Sequence, residues 1–235
     1  MRLKHILTLA TFLTAGAAVT YAAPACLAGS SLSAYEAAGY SCEVGDLIYS
    51  NFTYSSTGAD PTNSQTSLGI DNFANVAADT WQVGFQFGSS VTGVTWGAVP
   101  MSVTYTATVD QAACAAEFGA GYTCAINEAQ GQFQDGSAGS GNTAAMTDGI
   151  SGGGLLNLND LSTGNNTGQV TFPGITATNL SLTGGGLSTT YSIESFGLDL
   201  YETATPAVPE PATLGLVGGA LFALGVLRRK KTVRA

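Results

Sequence analysis

Between Leu7 and Leu227 the chain contains no lysine, arginine or histidine. The seven basic residues sit at the two ends, Arg2 and Lys4 at one and Arg228, Arg229, Lys230, Lys231 and Arg234 at the other, and His5 is the single histidine. All sixteen acidic residues lie between them. A fold built from that stretch cannot form ion pairs, so each carboxylate must be solvated, accept hydrogen bonds or meet a metal cation. The same absence removes whole classes of chemistry. A serine or cysteine nucleophile has no histidine base, no lysine is present to form a Schiff base, and no arginine can clamp a phosphoryl group. Nucleic acid is excluded as a partner, because phosphate binding rests on Lys and Arg.

No Walker or dinucleotide fingerprint appears in a strand-to-helix context, and the runs Gly152–Gly154 and Gly184–Gly186 read as turns. One enzymatic option remains, glycoside hydrolysis by two carboxylates. The sequence nominates no pair among the sixteen, so no catalytic residue is assigned and the chain is read as a non-enzyme. With 31 Gly and only 10% charged residues, the composition points to an exported all-β protein rich in turns, since helical surfaces normally carry Lys, Glu and Arg.

Both ends read as targeting segments. Arg2 and Lys4 precede an apolar run from Ile6 to Val19 and then small residues, so residues 1–22 form a signal peptide. Ala23-Pro24-Ala25-Cys26 fits a lipobox poorly because of Pro24. At the other end, Val208-Pro209-Glu210-Pro211 leads into an apolar segment, 212–227, and then into Arg228-Arg229-Lys230-Lys231. The apolar segment is short for a span that normally needs ~20 residues, but Arg228 can snorkel. The four basic residues form a stop-transfer cluster by the positive-inside rule.

That ordered triple, residues 206–235, resembles the PEP-CTERM sorting signal. The resemblance implies that Pro209, Glu210 and Pro211 are the tripeptide recognised by exosortase, a membrane-embedded thiol transpeptidase. The flanking prolines keep the backbone extended and free of ladder bonds, so an enzyme can take it up as a strand. It also implies transient anchoring in the inner membrane, processing, and residence at the cell surface or in a matrix of extracellular polysaccharide or biofilm.

Residues 23–205 are left as a single ectodomain. Cys26, Cys42, Cys114 and Cys124 are an even set in an exported chain, and two local bonds, Cys26–Cys42 and Cys114–Cys124, are the preferred pairing of the three. Strand alternation is clearest over Trp81–Phe87 and Met101–Val109. Leu47–Tyr54, Gln130–Gln134, Gln169–Phe172, Asn179–Thr183 and Tyr191–Tyr201 are further strands, the last with a change of parity that predicts a bulge near Ser195. Leu32–Ala38 is helix-like, and Asp110–Gly119 is a helix with its own cap and stop. Residues 135–168 read as a long mobile loop rich in Gly, Ser, Asn and Asp. The fold class expected is a mostly β, antiparallel sandwich or jelly roll.

Two binding chemistries stay open. Asn157, Asn159 and Asp160, and separately Asp71-Asn72, offer oxygen ligands for calcium if they lie in loops, though Asx residues also simply make turns. Trp81, Trp96 and the tyrosines could stack on sugar rings if exposed, whereas at alternating strand positions such residues are more often core. The leading expectation is a non-enzymatic, polysaccharide-associated surface component. The alternative is a lectin-like sandwich.

Overall fold

The computed structural model describes residues 23–56, 60–77, 80–92, 96–97, 101–135, 144–160, 165–186 and 193–206. The signal peptide, Pro209–Pro211, the apolar segment and the basic cluster lie outside those residues. No helix among the described residues is long and apolar enough to cross a membrane.

Eleven strands form two sheets. Sheet A has six, ordered β1 (Ser41–Val44), β2 (Leu47–Ser55), β5 (Met101–Val109), β10 (Ala177–Gly186), β7 (Ala144–Ile150) and β8 (Gly154–Asp160). Sheet B has five, ordered β3 (Thr66–Ala77), β4 (Thr80–Ser89), β11 (Ile193–Pro206), β6 (Tyr122–Asp135) and β9 (Asn165–Ile175). Every pairing between these strands is antiparallel. Most connections cross from one sheet to the other, which gives the two-layer sandwich expected of the sequence.

Alternation explains the layering. In β5, Met101, Val103, Tyr105, Ala107 and Val109 are buried, while the Ser and Thr between them face outward. In β4, Val83, Phe85 and Phe87 point inward, and in β11 Phe196, Leu198 and Leu200 do the same. The core centres on aromatic rings from both sheets. Tyr49 meets Phe85 edge-on at 4.5 Å, Phe52 stacks on Tyr105 at 5.4 Å, and Phe87 stacks on Phe196 at 5.2 Å. Trp96 is fully buried, edge-on to Phe196 at 5.0 Å, with its indole N–H donating to the Tyr54 hydroxyl at 2.8 Å. It is a core residue and not a sugar platform.

The change of parity in β11 is a register shift against β6 between Ile193 and Ser195, as the sequence suggested. Helix α2 spans Gln111–Phe118 in the crossover from β5 to β6. It is capped by Asp110, whose side chain accepts from the N–H groups of Ala112 and Ala113. The expected helix at Leu32–Ala38 is a single turn, α1, Leu32–Tyr35. The disulfides are Cys26–Cys42 and Cys114–Cys124, the local pairing. Closing loops with sequence separations of 16 and 10, they contribute about 3 kcal/mol each in the chain-entropy account.

Two expectations are corrected. The stretch 135–168 is not one long loop: β7 and β8 form a hairpin within it, and β9 begins inside it at Asn165. Asn157, Asn159 and Asp160 therefore belong to the paired strand β8, and Asp71-Asn72 to β3. Both runs thus lie on strands and not in the loops from which they were expected to offer ligands.

Candidate functional site: a carboxylate and amide face on sheet B

The outward face of sheet B is set by the inward row of its neighbours. Because Val83, Phe85 and Phe87 of β4 and Phe196, Leu198 and Leu200 of β11 face the core, Gln82, Gly84 and Gln86 face out beside Ser195, Gly197, Asp199 and Tyr201. On the far side of β4, Leu68 and Ile70 pack against the core, which turns Gly69 and Asp71 of β3 to the same outer face. Gln130 and Glu128 of β6 and Gln169 of β9 extend it.

These side chains hold one another. Gln82 Nε2 donates to Asp199 Oδ2 at 2.7 Å, Gln86 Nε2 to Ser195 Oγ at 3.4 Å, and the Tyr201 hydroxyl to Gln130 Oε1 at 2.9 Å. Gln169 Nε2 donates to Glu128 Oε1. Gly84 is the floor of the arrangement. It pairs with Asp71 on one side and with Asp199 on the other. A Cβ at Gly84 would collide with Asp199 Oδ1 and with the Leu198 carbonyl, so the Asp199 carboxylate lies over the glycine itself. Asp199 is only 2% exposed, and its Oδ1 has no hydrogen-bond partner among the described residues. Burial pushes its pKa up to about 6, the Gln82 hydrogen bond works against that, and the Asp71 charge adds to it. Burial also raises Asp71.

Three other acids are buried between the sheets, two of them together and one alone. Asp46, in the β1–β2 turn, and Glu202, on β11, are both buried, and their carboxyls lie against one another. Burial first, and then the neighbouring Asp46 carboxyl, push Glu202 up to about 10, so Glu202 holds a proton at neutral pH. The Asp46 carboxylate also lies within 4.8 Å of the sulfurs of Cys114 and Cys124. Those sulfurs are bonded to each other, so they offer no thiolate to a metal. Asp148 of β7 is fully buried opposite Gly131 of β6, where a Cβ would collide with its Oδ2. Neither of its oxygens, nor the Tyr105 hydroxyl, has a partner among the described residues, and burial pushes the Asp148 pKa up to about 7. The absence of Lys and Arg leaves these acids no other recourse than a bound proton or a cation.

A shallow pocket of about 240 Å³ on the edge of sheet A is lined by Tyr35, Glu36, Tyr40, Asn51 and Thr53, among others. Asn51 stands at φ 57, next to a register shift between β2 and β5. The Glu36 carboxylate there is already used, accepting from the Tyr54 N–H at 2.7 Å and from Asn63 Nδ2 at 2.6 Å.

Of the residues the sequence singled out, the four cysteines are brought together in pairs, Trp96 is drawn into the core, and Asp71 becomes part of the outer face. Asn157 is exposed on β8, where its Oδ1 accepts from Thr147 Oγ1 at 3.2 Å. Asp199, the partner of Asp71 across Gly84, was not singled out. The hydrophobic alternation of β11 was visible, and an acid on the polar parity of that strand was its only signal.

No curated protein matches the chain. Among solved structures it is similar to a carbohydrate-binding module of the β-sandwich superfamily, at 10% identity and TM-score 0.25, covering 76% of this chain and 61% of that one. It is also similar to an exo-β-1,3-galactanase from Phanerochaete chrysosporium, at 16% identity and TM-score 0.22, covering 67% and 32%. The adhesin domain of Epf from Streptococcus pyogenes overlaps at 12% identity and TM-score 0.23, covering 77% and 66%. The chain thus spans about three-fifths of the module, and these are loose overlaps of strand layout with no residue correspondence. The family comparison is specific to the C-terminus: residues 207–230 match the PEP-CTERM protein-sorting motif, which marks the chain as an exported protein sorted by exosortase.

Proposed function

We propose that the chain is a non-enzymatic component of the cell surface or extracellular matrix, released there through its sorting tail, whose sandwich associates with polysaccharide through the outer face of sheet B. The observation that carries this reading is a row of three hydrogen-bonded pairs on that face, Gln82–Asp199, Gln86–Ser195 and Tyr201–Gln130. Amide, carboxylate and phenol groups fixed by one another present donors and acceptors without further ordering cost, which suits the hydroxyl pairs of a neutral or acidic sugar chain. With no Lys or Arg beside it, such a face has little attraction for nucleic acid.

The non-enzymatic part is supported by where the raised acids lie. Glycoside hydrolysis needs an acid and a second carboxylate facing each other across a cleft that admits the sugar. Asp148 and Glu202 sit between the sheets, and Asp199, though opposite Asp71, is 2% exposed and covered by its neighbours.

The test is binding of the secreted protein to the producer's own purified polysaccharide, with Gln86→Ala and Tyr201→Ala on the face and Thr104→Ala on sheet A as the control. The reading expects at least ten-fold weaker binding in the two face variants and none of that loss in the control. Absence of binding by the unaltered protein, or release of reducing sugar that depends on Asp71 or Asp199, overturns it.

A further inference from the structure

The geometry points to a divalent-cation site, of the calcium type, held by Asp71 and Asp199 across Gly84 with the Gln82 amide oxygen beside it. It rests on the carboxylate geometry alone and does not need the polysaccharide reading.

Asp71 and Asp199 both pair with Gly84 and both face outward, so their Cα atoms stand two interstrand spacings apart, about 9.5 Å. The Asp199 carboxylate extends over this residue without a side chain, its Oδ1 occupying the space above it, and the Asp71 charge is near enough to act on it. One ion bridging the two would take calcium–oxygen distances of ~2.4 Å to each.

Three further observations favour a cation over two mutually repelling acids. Asp199 is 2% exposed and its Oδ1, over Gly84, accepts no hydrogen bond from any described residue, so that carboxylate oxygen is both desolvated and unsatisfied. Gln82 spends its Nε2 on Asp199 Oδ2, which fixes the amide, and with it a third side-chain oxygen, beside that carboxylate. No Lys, Arg or His exists between Leu7 and Leu227 to neutralise the pair. The donors are all oxygens, which selects a hard ion such as calcium rather than zinc or copper. Water, or the oxygens of an acidic sugar, would complete the six to eight ligands from the side of Asp71, which is only partly buried.

The experiment is calorimetric titration of CaCl2 into the full-length protein after EDTA treatment, with terbium luminescence as a second reading, since Tyr201 lies on the same face as Asp199. The expected result is one site with a dissociation constant on the order of 10⁻⁴–10⁻³ M, as in other extracellular calcium modules, and a higher unfolding temperature in calcium than in EDTA. Asp71→Asn should weaken binding at least ten-fold, while Glu117→Gln, on the exposed surface of α2, leaves it unchanged. Asp199→Asn serves as the second variant if Asp71→Asn shows no cooperative unfolding. No uptake at about 10 mM calcium, far above the range of such sites, overturns the assignment. So does calcium binding that persists undiminished in whichever of the two variants folds.

Discussion

Asp148→Asn tests how far burial governs this protein's response to pH. In the folded chain the Asp148 carboxyl sits between the sheets, flanked on its own sheet by Leu182 and Leu156, with no partner among the described residues, and its pKa stands at about 7. The unfolded chain returns it to about 3.9. The folded state therefore keeps a proton that the unfolded state gives up. Stability from this group is complete below pH 4 and is lost as pH rises through 7. Between pH 5 and pH 7 the linkage relation gives a loss of roughly 2 kcal/mol from Asp148 alone, and the full loss above pH 8 is roughly 4 kcal/mol. Asparagine keeps the size and cannot ionise. It brings an unsatisfied amide of its own, a cost that does not vary with pH. The informative quantity is therefore the slope. Urea unfolding in EDTA at pH 5, 6 and 7 should show the unaltered protein losing stability with each step, and Asp148→Asn losing roughly 2 kcal/mol less over the range. Asp199, raised to about 6, and Glu202, raised to about 10, act with the same sign and remain in both proteins. A slope unchanged by the substitution, or stability that rises from pH 5 to pH 7, refutes the claim that burial holds Asp148 protonated.

Three more outcomes are expected. Gly84→Ala should cost about 3 kcal/mol or more, because its Cβ meets backbone as well as Asp199, whereas Gly69→Ala, whose nearest neighbour is Gln86 Cβ at 3.5 Å, should stay within about 0.5 kcal/mol; paired denaturation curves decide between them. Replacing Cys114 and Cys124 together by serine should cost about 3 kcal/mol, read as a lower urea midpoint with a slope equal or steeper as the freed denatured chain expands, and a loss below 1 kcal/mol would mean that α2 and β6 hold together without the bond. Intact mass and location of the mature protein should change when exosortase is removed from the host, from a species outside the cell to one that retains residues 207–230; identical products in both strains would separate the sorting motif from its enzyme.

The central strands were legible because they keep strict alternation in hydrophobic residues: Trp81–Phe87 and Met101–Val109 needed nothing beyond period two. The slip in β11 was legible for the same reason, since a bulge is the cheapest way to put Ile193 and Phe196 on one face. What was missed breaks the pattern with residues that ordinarily mean a turn. β3 opens Thr66-Ser-Leu-Gly-Ile-Asp71-Asn72, and its outward row of glycine and aspartate disguises the inward row of Leu68 and Ile70. β7 places Asp148 in the core, where a hydrophobic scan expects no acid, and among the described residues of β8 only Leu156 and Leu158 are buried. The Asp71–Asp199 pair was beyond sequence reading. The two residues are joined only through the register of β4, which neither segment encodes alone.

The course of β11 has a mechanical consequence. It is a central strand of sheet B, bonded to β6 from Ile193 to Pro206 and to β4 from Ser195 to Thr203, and the chain runs from its end directly into the sorting segment. A pull on that segment therefore enters the domain along the strand axis and perpendicular to its hydrogen bonds. Two ladders must then slide together rather than peel one bond at a time, so a tether attached there grips the sandwich where it is hardest to draw apart.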